Sequence, residues 1–314
     1  MTSINSIYHS LQPFFKFFPG FLAIMVLFAL IIKGSFRKRN ILKRKPYLYS
    51  LPIIFAFLLA ISFFLLARAV QAEFYFTKSL STRIAKEIYS YQKKAVLINP
   101  YNSAYRRAFS QTNLLIAGGI VRQSDDQQNT LTPGVEERGG FAPRSSENEA
   151  GKTSGVELSD TDRQTIIQAI RASIDEAKAA VKLDDHDSKN WENLALVYRN
   201  LINLVEDADL WAISSYQRAI ILDPNNPELR LGLGGVYYSI SEYKEAIKAF
   251  EEAIKLKPGW PNAYYNLAWT HYKIGNQSQA ISGMEKVITL LKSQNKGSEL
   301  KQAEKDLSEF KSSP

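Results

Sequence analysis

The chain has 314 residues, a formal charge of +8 from 39 Lys+Arg against 31 Asp+Glu, and no cysteine, which excludes a disulfide framework and cysteine-ligated metal sites. The positive balance would suit a nucleic-acid partner, but its distribution excludes one. Residues 1–72 hold nine Lys and Arg and no acid, and removing those nine from +8 leaves residues 73–314 at −1, without the basic excess a phosphate-binding face needs.

The first element is the uncharged run "FFPGFLAIMVLFALII", read as a transmembrane helix over about 14–32 if Lys16 snorkels. The second is "YLYSLPIIFAFLLAISFFLL", residues 47–66, which at 1.5 Å per residue spans roughly 30 Å, the thickness of a hydrocarbon core. Neither has the polar face of a soluble core helix. The loop between them, 33–45, carries Lys33, Arg37, Lys38, Arg39, Lys43, Arg44 and Lys45. The positive-inside rule keeps that loop in the cytoplasm and places everything after Ala72 on the extracytoplasmic side. Residues 1–72 thus read as a multi-pass anchor in the cell membrane. Cleavage near Val70 and Ala72, after a signal peptide, is the competing reading; the long apolar run and the span before it favour retention.

Residues 73–120 read as helical. Ala95 and Pro100 stand five apart, and another helix starts near Ser103. Residues 121–158 hold one aromatic, Phe141, among many Gly, Ser, Gln and charged residues, a composition expected to stay disordered as an insertion. A long amphipathic helix follows at Asp160–Leu183.

Over 159–292 the chain repeats. Ala212, Ala219 and Pro224 recur thirty-four residues later as Ala246, Ala253 and Pro258, and again as Ala280, Val287 and Lys292. Before each set stands a helix with a fixed pattern: Trp191, Leu194, Ala195, Tyr198; Arg230, Leu233, Gly234, Tyr237; Tyr264, Leu267, Ala268, His271. Small residues let paired helices approach, large ones fill the space between neighbours, and proline stops the second helix. Ala180 to Ala219 is 39 residues, so "RNLINLVEDADLW" should form a longer hairpin. Residues 293–314 supply a capping helix with Ser298 as N-cap and an apolar stripe of Leu300, Ala303, Leu307 and Phe310.

This pattern resembles the tetratricopeptide repeat (TPR), W-x2-L-G-x2-Y, then A-x3-F, then P, with Ala212/Tyr216, Ala246/Phe250 and Ala280/Met284 in the second half. The implied fold is all-α: two transmembrane helices, then a TPR α-solenoid with a C-terminal cap. With the membrane spans, "NWENLALVYRNLI", "LRLGLGGVYYS" and "NAYYNLAW" also resemble the C-terminal TPR region of bacterial O-antigen-ligase-like membrane proteins. That second resemblance implies an accessory part or fragment of a polysaccharide-handling protein.

The residue set gives no catalytic, cofactor or metal site. His9 precedes a span, His271 fills an aromatic slot of its helix, and His186 in "DDHDS" sits in an inter-repeat turn where polar residues are expected. "GKTSG", 151–155, has serine where a phosphate loop needs its earlier glycine, and no strand precedes it. What remains is recognition. The resemblance implies that first helices line a concave groove, and their non-core faces offer Lys189, Asn193, Arg199, Glu228, Tyr238, Tyr265, Asn266, Trp269, Tyr272 and Lys273. Aromatics with scattered donors suit a protein or peptide partner, or a glycan. The expected function is a non-catalytic, membrane-anchored scaffold for protein–protein interaction at the cell envelope.

Overall fold

A computed structural model describes residues 50–128 and 159–312, and these form eleven α-helices with no strand among the described residues. The first expected span (14–32), the basic loop (33–45), His9, Phe141 and "GKTSG" lie outside them. The chain divides into two compact units, residues 1–109 and 110–314.

In the first unit, α1 (Ser50–Ser81) begins in the second expected span. Among the described residues it is the one helix long and apolar enough to cross a membrane, over Ile54–Ser81. Ile54, Phe57, Leu58, Leu59, Ile61, Phe63, Phe64 and Leu65 are all exposed on it. The helix does not stop at the expected boundary after residue 72, because no breaker follows and its last turns gain partners. Ala72, Tyr75 and Phe76 pack with Tyr89, Ala95, Val96 and Ile98 of α2 (Ala85–Ile98) and with Tyr105 and Phe109 at the start of α3 (Ser103–Gln128). Tyr105, fully enclosed, donates its hydroxyl proton to the buried Glu73 carboxylate at 2.5 Å. Helix α3 runs on to Gln128, past the expected start of the insertion at 121; residues 129–158 lie outside the described residues.

The second unit continues with α4 (Asp160–Leu183), α5 (Ser188–Asn200), α6 (Ala208–Leu222), α7 (Pro227–Ser239), α8 (Tyr243–Leu256), α9 (Pro261–Lys273), α10 (Gln277–Ser293) and α11 (Gly297–Ser312). Local chemistry sets the boundaries. Ser159, Asp187 and Asn226 cap α4, α5 and α7 by accepting the free N–H of Asp162, Lys189 and Glu228. Pro227 and Pro261 begin helices where no N–H is needed, while Pro224 and Pro258 end α6 and α8 two residues earlier because their rings cannot continue the ladder. Ser298 is not the expected cap: it lies inside the first turn of α11, its hydroxyl bonded to the Glu299 carboxylate.

Each first helix packs antiparallel on its second helix, α5 on α6, α7 on α8 and α9 on α10, and successive first helices touch along one row. The spacing depends on missing side chains. A Cβ on Gly234 would lie 2.5 Å from the Phe250 ring, and one on Gly232 would lie 2.6 Å from the Tyr216 ring. Across the next pair, Gly283 lies against Ala268.

The repeat is also written in the backbone. Positions 207, 241 and 275, thirty-four apart, hold left-handed residues in the three hairpins: Asp207 (φ 56), Ser241 (φ 64) and Gly275 (φ 78). The extra residues of the first hairpin fall before Asp207, in 201–206, where Leu201 is buried and Ile202 and Val205 pack on the core. Trp211 stacks on Tyr198 with centroids 5.8 Å apart, and Lys178 lies over both rings.

Of these three, only Gly275 adopts the left-handed region without a Cβ penalty. That penalty is about 1–2 kcal/mol, partly offset by the extra unfolded-state freedom of glycine. Ser241→Gly is therefore expected to stabilise the protein by about 0.5–1 kcal/mol. Urea unfolding followed by circular dichroism reads this directly; a lower midpoint would contradict it.

Candidate functional site

The row of first helices is where the sequence places a partner, and the side chains expected there divide into two groups. Lys189, Arg199 and Glu228 are exposed. Arg199 stands at the end of α5 with one guanidinium nitrogen 3.6 Å from where a Cβ on Gly235 of α7 would be. It also faces the Tyr216 hydroxyl: burial pushes that hydroxyl's pKa up, and the guanidinium partly offsets the shift.

The other expected residues are buried or half-buried. Asn193 is buried on α5, and its amide donates to Ser110 Oγ of α3 at 3.3 Å. Ser110 in turn donates to the Ser173 carbonyl of α4 at 2.8 Å. Tyr238 is enclosed with Ala246 and Phe250. Asn266 is buried, with its amide on the Asn262 carbonyl at 2.9 Å. Tyr265 donates its hydroxyl proton to Asp306 of α11 at 2.6 Å.

Trp269, the expected centre of an aromatic strip, lies edge-on to Phe310 of α11 at 4.9 Å, and Tyr272 stacks on the same ring at 4.4 Å. Lys273, in the last turn of α9, is half-buried. The physical reason is the capping helix. Its fully buried Phe310 packs on the aromatic face of α9, so Tyr265 is corrected from groove to packing, while Trp269 and Tyr272 are half-buried against that ring. Trp269 Nε1 is buried with no hydrogen-bond partner, a desolvation cost set against the ring contacts with Phe310, Tyr265 and Tyr272.

What stays open is the stretch formed by α5 and α7. Lys189, Glu192, Leu196 and Arg199 lie three or four apart, one face of α5; Glu228, Leu231 and Gly235 occupy the corresponding face of α7. Charges of both signs flank two leucines and a bare backbone position, an arrangement suited to an extended peptide whose main chain can approach at Gly235.

Sequence reasoning passed over Asn190 and Asp306. Asn190 is fully buried, and its amide donates to the Ala180 and Asp184 carbonyls at 3.3 and 2.9 Å, tying α4 to α5. Asp306 is 3% exposed and accepts from Tyr265 at 2.6 Å and from Gln302 at 2.7 Å. Its signal in the sequence is its place among the apolar positions of α11: Asp306, Leu307 and Phe310 stand three, four and seven residues after Ala303, all on the face that packs. An acid at such a position, opposite a tyrosine, marks a buried hydrogen bond.

Residues 234–275 match the family model described as TPR repeat, and residues 261–290 match the one described as tetratricopeptide repeat. Tetratricopeptide repeats therefore occupy 234–290, and such repeats are scaffolds that bind protein or peptide partners. Among solved structures, the fragment of MamA from residue 41 onward of Desulfovibrio magneticus RS-1 is 13% identical, covering 71% of this chain and 97% of its own, with a TM-score of 0.46. Pseudomonas aeruginosa pilF is 12% identical over 78% of this chain and 93% of its own, with a TM-score of 0.47. YrrB, described as a TPR protein with an unusual peptide-binding site, is 15% identical over 69% of this chain and 84% of its own, with a TM-score of 0.41. No curated protein matches the chain.

His271 fills its slot as a buried, neutral side chain. Burial lowers its pKa from 6.5, opposed by the Glu251 carboxylate, and Nδ1 has no hydrogen-bond partner. Below the ordinary histidine value the unfolded chain takes up a proton that the fold refuses. Stability should thus fall as pH drops through 6.5 and level off, on this account, once the lowered folded value is passed. His271→Phe is expected to remove that part of the acid slope when denaturant midpoints are compared from about pH 8 to about pH 5. An unchanged slope would show that His271 is not the group responsible.

Proposed function

We propose that this protein is a non-catalytic scaffold, held in a membrane of the cell envelope by its N-terminal helices, that binds a protein or peptide partner on the α5–α7 face. The repeats lie on the extracytoplasmic side in this reading, because the basic loop 33–45 belongs in the cytoplasm. The observation that carries the anchoring is the row of large apolar side chains on α1, from Ile54 to Leu65, which no part of the protein covers among the described residues. Such a surface needs another apolar phase, and the helix is long enough for a bilayer to supply it.

The binding reading rests on the open face itself, with Arg199 exposed beside Gly235 and Glu228 exposed two turns earlier on α7. A polysaccharide-handling role would draw on stacked aromatics, and Tyr265, Trp269 and Tyr272 are engaged by Phe310 and Asp306 instead, which favours the protein partner.

A photo-reactive side chain at Glu228, in the full-length protein in native membranes, is expected to yield a discrete adduct. The adduct should disappear with Arg199→Glu and should not form from Lys248, which is exposed on the second helix α8. The protein itself should stay in the membrane through a high-salt wash. Equal labelling from 228 and 248 would contradict the binding face, and release by salt would contradict the anchor.

A further inference from the structure

The end of α2 and the turn after it carry two exposed apolar residues that the first unit does not use: Leu97 is 67% exposed and Tyr101 is 77% exposed. The position of this turn along α1 is fixed. From Arg68 to Ser81, α1 climbs roughly 20 Å, and α2 descends by the same roughly 20 Å from Ala85 to Ile98. The chain therefore returns to the level of Arg68, and a contact records it: Arg68 Nη2 donates to the Leu97 carbonyl at 3.4 Å. Arg68 stands two residues beyond Leu66, where the apolar run of α1 ends, about 3 Å further along the axis.

We propose that this turn is a second membrane contact, with Leu97 and Tyr101 seated in the interfacial layer of the same bilayer that α1 crosses. The inference rests on the anchoring reading above. The bilayer is favoured as occupant by continuity with the apolar run of α1 and by charge. Between residues 67 and 109 stand eight Lys and Arg against Glu73 and Glu87, and Glu73 is buried on Tyr105. Five of the eight, Arg68, Lys93, Lys94, Arg106 and Arg107, lie near the turn in sequence or by contact, where the phosphate groups that lipids of either leaflet carry would meet them. The headgroup layer is about 5–8 Å deep on each side, enough to reach one helical turn up α2 to Lys94.

The turn is built to hold its shape. Arg106 Nε donates to the Pro100 carbonyl at 2.8 Å, and Asn102 Oδ1 accepts the N–H of Ala104 at 3.0 Å. Tyrosine, with an apolar ring and a polar tip, suits such a depth.

Because the chain has no cysteine, Phe63→Cys, Arg83→Cys and Tyr101→Cys each take one fluorescent label in the full-length protein. The probe is a lipid with a nitroxide near its headgroup, in vesicles containing phosphatidylglycerol. Quenching at Tyr101→Cys is expected to exceed that at Arg83→Cys by about threefold or more, since roughly 20 Å of helix separates the two ends of the hairpin. Equal, weak quenching at 101 and 83, with Phe63→Cys quenched by lipid labelled deep in its acyl chain, would overturn this inference and leave the anchor standing. A label at Phe63→Cys that escapes the deep quencher would overturn both.

Discussion

The Phe250 ring occupies the space that a Cβ on residue 234 would need, and the closeness of α7 to α8 follows from that missing side chain. Interiors pack at crystal density, so one methyl group at such a contact must move a ring or a helix. The same exchange of small for large sets the contact between repeats, Gly232 of α7 under Tyr216 of α6, while in the next pair two small residues meet, Gly283 against Ala268. Each repeat thus presents its first helix at a set distance from its second, and the row of first helices inherits its regularity from those contacts.

A row built this way has an end, and α11 determines what is left open. Phe310 packs on Trp269 and Tyr272, and Asp306 takes the Tyr265 hydroxyl, so the aromatic face of α9 is largely engaged by the cap. The expected face that stays open is on α5 and α7, where charged side chains stand with Leu196, Leu231 and Gly235. On the proposed binding face, recognition would rest on charge pairing and main-chain approach rather than on ring stacking.

The period of thirty-four, the prolines and the alanines were legible because each repeats and each has a steric cause. The long first hairpin was legible as a surplus between fixed positions, and the left-handed residues 207, 241 and 275 keep the same count. The face of each aromatic was not legible. Tyr265 and Trp269 have the spacing of an inner strip, and it is α11 that buries Tyr265 and half-buries Trp269. Asn193 reads as a surface donor, yet it is buried on Ser110, eighty-three residues earlier. Helix ends without a breaker were not legible either, as α1 runs past residue 72 on contacts with α2 and α3 that no local pattern announces.

The most direct test of this packing constraint is a double-mutant cycle between residues 234 and 250, read by denaturant unfolding of Gly234→Ala, Phe250→Leu and the pair. If the missing Cβ exists to admit the ring, shrinking the ring makes room for it, and the pair should be destabilised by about 1 kcal/mol or more less than the sum of the single changes. Additivity within about 0.5 kcal/mol would contradict the account.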